Sequence, residues 1–406
     1  MEPDFHSDAQ TPRRIRVRRL NLNDFRSYPS LDLELSSPRI VLMGENGAGK
    51  TNVLEALSLL APGRGLRRAE FADCAREGGA GGWAISAEIE EAGARRRLGT
   101  GLPSGAPQSG QRKNRIDRAP VSSSGAFSDY VRIVWLTPEM DGLFCGSPGD
   151  RRRFLDRLVL AVDPSHAKRV SAFERAARSR NRLLEEGSRD PGWLDALERE
   201  IAELAVAVAA ARFETATRLS ADASRPSRQD SIFPWADVAL TGDLEELLPD
   251  RPALEIEDRY RAALLAGRER DAAARRTASG LRPADLRVRH GPKQIEAARC
   301  STGEQKALLV GLVLAHAHLV ARASGMAPLV LLDEIAAHFD PGRRAALFSD
   351  LADLGSQVWM TGADPQAFAQ LDAGTEFFIV RPGAIEPRSA IPRGPDERPA
   401  SLENQA

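Results

Sequence analysis

Cysteine is scarce in this chain: Cys74, Cys145 and Cys300 are the three in 406 residues, and no C-x-x-C pair exists. That argues against a disulfide framework or a zinc site and fits thiols kept reduced in a cytosol. Lysine is scarcer relative to its partner: only five of the 56 basic residues are lysine. Arginine with abundant alanine can follow from base composition alone, so local clustering of charge carries more weight than its total. The net charge of −1 rules out a polycation. No apolar run is expected to reach the roughly 20 residues of a membrane span. The start, Met1-Glu2-Pro3-Asp4-Phe5-His6, is polar and acidic, unlike a signal peptide. The expected location is therefore cytoplasmic. What remains is an ordinary globular composition, 42% hydrophobic, long enough for two or three domains at roughly 150 residues each.

Against that background one stretch stands out, Gly44-Glu45-Asn46-Gly47-Ala48-Gly49-Lys50-Thr51, a G-x-x-x-x-G-K-T loop. Arg39-Ile40-Val41-Leu42-Met43 before it reads as a buried strand, and Asn52 to Leu60 after it has apolar residues at helical spacing. Strand, glycine-rich turn and helix in that order are the context a phosphate-binding loop needs. The glycines let backbone N–H groups close around phosphate oxygens, and the helix N-terminus adds partial positive charge. Lys50 is expected to reach the β- and γ-phosphates and Thr51 to take one position on Mg²⁺. ATP and Mg²⁺ are therefore the expected cofactors.

A second feature is Pro328-Leu329-Val330-Leu331-Leu332-Asp333-Glu334, an apolar strand ending in two carboxylates. In an open α/β sheet such strand ends face the ligand. Asp333 is expected to hold Mg²⁺, directly or through water, and Glu334 to polarise the attacking water. A third is Ser301-Thr302-Gly303-Glu304-Gln305, just before a long apolar helix. Ser301 and Glu304 suffice for a capping box, and the same helix end attracts an anion.

The remaining chain divides by its periodicity. Residues 1–12 read as a disordered lead-in and 387–406 as a Pro- and Arg-rich flexible tail. Alternation predicts strands over 15–22, 31–35, 84–90, 94–98 and 130–136, with an exposed arginine in the connection Asn23 to Tyr28. Residues 101–128 read as a loop by composition. Charged helical segments follow over 151–158, 165–187, 191–222 and 254–279, with prolines breaking 224–252 and a strand near 285–289. The expected fold is α/β: a two-lobed P-loop ATPase head built from 13–150 and 285–386, with a helical arm, 151–284, inserted between them.

The order of these motifs resembles the ABC-type ATPase heads of the SMC and RecF group: phosphate loop, insertion, S-x-G-E-Q, then the acidic strand. Within it the RecF family resembles the chain best. The matching segments are Asn23-Asp24-Phe25-Arg26-Ser27-Tyr28, Gly47 to Ala56, Gly63-Arg64-Gly65-Leu66-Arg67, and Gly146-Ser147-Pro148-Gly149-Asp150-Arg151-Arg152-Arg153-Phe154-Leu155-Asp156. The resemblance as a whole covers residues 13 to about 160 and about 280 to 386, with the helical middle matched only by position and length. The short insertion without a C-x-x-C separates the chain from relatives with long coiled coils and a zinc hook. The resemblance implies an ATP-dependent homodimer in which Ser301, Gly303 and Gln305 act on the nucleotide of the other subunit and Asp340 belongs to the D-loop. It also implies weak ATPase activity, binding to single-stranded or gapped DNA by structure, RecR and RecO as partners, RecA loading and support of the SOS response.

Departures from the family pattern are specific. The strand Gln357 to Asp364 lacks the histidine that many such ATPases carry, leaving Thr361 or Asp364 on the γ-phosphate side. In the Q-loop region stands Leu136-Thr137-Pro138-Glu139, with Glu139 in place of a glutamine. Gly280 to Asp285 lacks a His-Arg pair. DNA contacts are expected from the basic clusters Arg64, Arg67 and Arg68; Arg112, Lys113 and Arg115; and Arg151 to Arg153, by charge and without sequence readout. For Arg151 to Arg153 the competing role is to organise the junction of head and arm. Two other readings of the whole chain stay open at this point: a transporter or protein-remodelling ABC subunit without DNA affinity, and a scaffold that binds ATP without turning it over.

Overall fold

A computed structural model describes residues 11–107, 110–186, 191–223, 231–275, 282–335, 339–371 and 374–388. The lead-in and tail expected at the two ends fall almost wholly outside them. Pro387 and Arg388, assigned above to the tail, instead close the last strand.

The chain opens with β1 (Ile15–Phe25), β2 (Tyr28–Glu34) and β3 (Arg39–Met43), then α1 (Lys50–Ser58). Strands β4 (Trp83–Glu91), β5 (Ala94–Leu102), β6 (Lys113–Ile116), β7 (Ala119–Val121) and β8 (Ile133–Leu136) follow. Next come helices α2 (Pro148–Val162), α3 (His166–Glu185) and α4 (Pro191–Ala223), strand β9 (Ala236–Thr241), and helices α5 (Ala253–Ala266) and α6 (Arg268–Ala274). The chain finishes with β10 (Asp285–His290), β11 (Ile295–Glu296), α7 (Thr302–Ser324), β12 (Leu329–Leu332), α8 (Pro341–Asp353), β13 (Val358–Gly362), β14 (Thr375–Arg381) and β15 (Ala384–Arg388).

One sheet runs β2-β1-β4-β5-β6-β7 and is antiparallel throughout. A second runs β15-β14-β3-β13-β12-β8, with β15 alone antiparallel, and a third, smaller sheet runs β11-β10-β9. The members of the second come from both ends of the sequence: β3 and β8 from the first half, β12 to β15 from the last. Both faces of this second sheet are covered, which the period of two makes visible. Val41, Met43, Val330, Leu332 and Met360 point into a core shared with α2, α7 and α8. Ile40, Leu42, Leu329, Leu331 and Trp359 point the other way, onto α1 and the antiparallel sheet. A parallel sheet needs such double cover, and near-continuous apolar strands are its sequence mark.

The fold departs from the sequence expectation at four places. The loop expected over 101–128 contains the hairpin β6–β7, whose strands are too short and too polar to show alternation. Within the proline-broken stretch, β9 forms because β10 offers it an antiparallel edge from Asp285↔Thr241 to His290↔Ala236. The strand expected from Tyr130 begins only at Ile133. Helix α7 is 23 residues long with mean hydropathy 1.6 in its most apolar window, so one apolar run does reach membrane-spanning length. That window is 72% buried inside the protein, and the helix serves as the central core helix, with Ala307, Leu308, Leu312 and Val320 nearly inaccessible.

The helices pack as α3 against α4, with α5 and α6 alongside. Asp156 of α2 ties this part to the rest: its carboxylate accepts from both Nε (2.8 Å) and Nη2 (2.9 Å) of Arg212 and bonds His166 Nε2 at 2.8 Å. Burial would raise its pKa, but the hydrogen bonds from His166 and Arg212 outweigh burial and hold it at about 2. A carboxyl depressed on folding stabilises the native state above its unfolded pKa of about 4 and loses that contribution as pH falls toward 2. Wild-type protein should exceed Asp156→Asn in stability by about 2 kcal/mol near neutral pH. Urea unfolding should show that margin shrinking as the pH is lowered below about 4.

Candidate nucleotide site

The carboxyl end of the parallel sheet brings the first two sequence motifs together. β3 leads into the loop Gly44 to Gly49, and α1 starts at Lys50. Gly44 N–H donates to Gly362 O of β13 at 3.3 Å, and a Cβ at Gly44 would lie 2.4 Å from Val380 O. Gly49 has φ +109°, and a Cβ there would meet Ser27 Oγ at 2.7 Å. Both positions therefore demand glycine for different reasons, close approach in the first and a left-handed backbone plus close approach in the second. Glu45, Asn46 and Gly47 form the exposed crest, while Ala48 tucks under it.

Lys50 is 3% exposed, with its ammonium donating to Gly44 O (2.8 Å) and Glu45 O (3.0 Å) and lying 3.7 Å from Glu334 Oε1. The Thr51 hydroxyl donates to Asp333, 2.9 Å from each carboxylate oxygen. Thr361 of β13 donates to Asp333 Oδ1 at 2.7 Å and accepts from Glu334 N–H at 2.9 Å. Burial pushes the Asp333 carboxyl up, partly countered by the hydrogen bonds from Thr361 and Thr51. Glu334 has φ +54°, an uncommon conformation for a non-glycine residue. The phosphate loop and the acidic strand, separated by 282 positions, thus converge on one cluster: Lys50, Thr51, Asp333, Glu334 and Thr361. Of the two replacements considered for the missing histidine, Thr361 joins it. Asp364 instead caps a short turn, accepting from Gln366 N–H at 2.9 Å.

These residues fit a magnesium nucleotide. Mg²⁺ takes one or two protein oxygens and fills its octahedron with water and phosphate, which matches one hydroxyl and one carboxylate, Thr51 and Asp333. The glycine-rich turn, the buried ammonium and the start of α1 match the phosphates.

A supporting layer escaped the sequence reading. Glu55 of α1, 1% exposed, is clamped by Arg26 (Nη2–Oε1 2.6 Å, Nε–Oε2 2.9 Å) and by Arg67 at 2.8 Å. Arg67 also donates to Asn52 Oδ1 at 2.7 Å, and Asn52 donates to Ser27 Oγ at 2.9 Å. Tyr28 O–H donates to Gly49 O at 3.0 Å. Arg26, expected to be exposed, therefore holds α1 to the β1–β2 turn. The only signal for this was that the Asn23–Tyr28, Gly47–Ala56 and Gly63–Arg67 segments all carried the resemblance.

Several residues assigned to DNA contact are committed elsewhere. Arg112 is 9% exposed and donates to Ala61 O and Gly63 O (3.0 Å each), to Ser124 Oγ (2.7 Å) and to Leu59 O. It closes the chain after α1 and is not available to a phosphate backbone. Arg67 is paired with Glu55 as described. Arg151 forms a bidentate pair with Asp285 (2.8 and 2.7 Å), joining α2 to β10. Arg152 donates to Ala284 O and Arg153 pairs with Asp150. Arg64 pairs with Glu70 but stays half exposed, and Arg68, Lys113 and Arg115 are exposed.

The signature segment lies at the surface. Ser301, Thr302 and Gly303 are exposed, and the capping box is present, with Ser301 N–H donating to Glu304 at 2.8 Å. Gln305 donates to Cys300 O at 2.8 Å. Asp340 caps α8, accepting from Arg343 N–H at 3.0 Å, which lowers its pKa. Ala337 and His338 of the D-loop segment lie outside the described residues. Glu139 sits exposed in a short turn after β8.

Comparison with known proteins agrees with this geometry. The RecF/RecN/SMC N terminal domain family matches residues 16–386. A DNA replication and repair protein RecF of Mesorhizobium japonicum is 50% identical over 376 residues, 93% of this chain and 99% of that protein. The protein of the same name from Brucella abortus is 51% identical over 390 residues, 95% of this chain and 99% of that protein. A solved recombination mediator protein RecF with ATP superposes with TM-score 0.77 at 17% identity, covering 93% of this chain and all of that one, a likeness of fold. With the phosphate loop, acidic strand and S-x-G-E-Q helix placed as above, the chain belongs to the RecF family of ABC-type, SMC-like ATPases.

Proposed function

We propose that this protein is an ATP-gated DNA clamp of recombinational repair. Two heads close on two ATPs, hold DNA beside a single-stranded gap, and let go on hydrolysis. The observation that carries this reading is the Lys50–Thr51–Asp333–Thr361–Glu334 cluster, combined with a signature helix whose Ser301 and Gly303 lie bare at the surface. In such a dimer Ser301, Gly303 and Gln305 of one subunit reach the γ-phosphate held by the other, with Asp340 beside them.

Within each site the loop N–H groups and Lys50 bind the β- and γ-phosphates, and Thr51 and Asp333 hold the metal. Mg²⁺, when bound, neutralises charge that develops on the phosphate oxygens. Glu334 orients a water and accepts its proton as the water oxygen bonds to the γ-phosphorus and the bond to the ADP oxygen breaks. Thr361 fixes both acids, by donating to Asp333 and accepting from the Glu334 backbone. Thr361→Val should lower turnover about tenfold, equivalent to about 1.4 kcal/mol of barrier, and Thr361→Ser should restore most of it. Phosphate release assays on the three proteins decide this.

DNA contact falls to Arg64, Lys113 and the exposed arginines beside them, through phosphates, and should weaken steeply with salt. RecR and RecO as partners, RecA loading and the SOS response follow from the family reading. The test is light-scattering mass with Mg-ATP, with and without a short gapped duplex. A doubled mass that stays on DNA supports the clamp. A monomer that ignores DNA at low salt overturns it in favour of another ABC-type role.

A further inference from the structure

Beside the Lys50–Thr51–Asp333–Thr361–Glu334 cluster stands one more threonine, which that cluster does not use. Strand β12 lies between β13 and β8, and all three are parallel. Leu332 pairs with Met360 on one side and with Leu136 on the other. One step further along, Asp333 therefore stands between Thr361 and Thr137, and its N–H donates to Leu136 O at 2.9 Å. Side chains on these strands alternate between two cores. Trp135 and Leu331 face α1, whereas Leu136 and Leu332 face the opposite way. Thr137 keeps an extended backbone, φ −131° and ψ 157°. The period of two thus carries its side chain to the α1 face, where Thr51 meets Asp333.

Thr51 and Thr361 both donate to the Asp333 carboxylate. Thr137 does not: it is 3% exposed, and its hydroxyl is buried without a hydrogen-bond partner. Buried polar groups are paired in the large majority of cases, and one left unpaired is destabilising. The turn that follows holds Thr137 in place, closed by Met140 N–H to Thr137 O at 3.0 Å and tied to α7 by Lys306 Nζ to Asp141 Oδ2 at 3.0 Å. Glu139, which the sequence offers in place of a glutamine here, is exposed. Mg²⁺ keeps several waters in its shell, and outer-shell hydrogen bonds orient what the metal holds. Resting on the magnesium-nucleotide reading of this site, we propose that Thr137 is a further positioning residue of the reaction: its Oγ1 accepts a hydrogen bond from a water of the Mg²⁺ shell, on the side of Asp333 opposite Thr361.

The test reads metal-dependent binding on the full chain. Thr137→Val removes the hydroxyl and keeps the branched shape, while Thr137→Ser keeps the hydroxyl. Fluorescence of a mant-labelled, non-hydrolysable ATP analogue follows binding as Mg²⁺ is titrated, and again in EDTA. Thr137→Val should need about tenfold more Mg²⁺ for half-maximal binding, the scale of losing an outer-shell contact, with its affinity in EDTA unchanged. Thr137→Ser should stay within about twofold of wild type. Urea unfolding without nucleotide should find Thr137→Val at least as stable as wild type, because the hydroxyl has no hydrogen bond to lose. An unshifted Mg²⁺ dependence in Thr137→Val, an equal shift in Thr137→Ser, or a loss of stability without nucleotide would each overturn the role of Thr137 and leave the nucleotide site standing. Wild-type binding that ignores Mg²⁺ altogether would instead overturn the site reading, and this proposal with it.

Discussion

Glu334→Gln should lower steady-state ATP turnover by about two to three orders of magnitude while leaving nucleotide affinity nearly intact. General-base catalysis is worth roughly 10²–10⁴ in rate, and the amide keeps the shape of the carboxylate but cannot accept the proton. The backbone favours this assignment. Glu334 is held in a left-handed conformation, φ +54°, with its N–H bonded to Thr361 Oγ1. Strain of that kind persists only where surrounding structure enforces it. Its carboxylate lies 3.7 Å from Lys50 Nζ and is about one third exposed, accessible to water. Under the clamp reading, the variant should form a longer-lived ATP dimer on light scattering. A scaffold that binds ATP without turnover would show no change between the two proteins, and that result would sink the hydrolytic role of Glu334.

The largest effect on stability should come from Arg180→Ala. Arg180 is wholly buried between helices, donating to Glu198 Oε1 (2.9 Å), Asp271 Oδ2 (2.8 Å) and Leu264 O (2.8 Å). It joins α3 to α4, α5 and α6 in one cluster, with Arg268 adding a second cation to Glu198 at 2.6 Å. Removing one partner of a buried ion pair costs about 3–5 kcal/mol, because the remaining charge stays desolvated. The apolar reserve nearby is small: Ala176, Ile201 and Leu264, with Phe173, Leu197 and Tyr260 packed against them. Arg180→Lys should rescue little, since an ammonium cannot reproduce the guanidinium fork. Hydrogen exchange is the discriminating measurement. Amides of α3 to α6 should lose protection well before those of β3, β12 and β13. Uniform loss across the whole chain would mean instead that the helices and the sheets unfold as one unit.

How much of this was legible beforehand depends on the range of the interaction. The phosphate loop, the strand before it and the helix after it were readable because their determinants are local: glycine at forced backbone positions and apolar residues at the period of each element. The acidic strand was readable for the same reason, and the meeting of Lys50, Thr51, Asp333 and Glu334 at one site was expected from residue type. By contrast, Arg67 and Arg112 looked like free surface charge, and Arg151 was assigned either to DNA contact or to the junction of head and arm. Each is committed through contacts with residues distant in sequence, and arginine in a sequence carries no mark of whether a carboxylate or carbonyl will meet it. Helix α7 makes the same point for apolar residues, since its composition suits a bilayer and only the sheet packed beneath it shows that it is a core helix.

The sequence alone determined the elements of the site and the α/β class, because each is written within ten residues or so of chain. Only the tertiary structure decided that Thr361 joins Asp333 to Glu334, that Glu55 is clamped by Arg26 and Arg67, and which basic residues remain free. Those outcomes depend on side chains brought together by sheet order, and sheet order is set by the burial of both faces of β3, β12 and β13 rather than by any short motif.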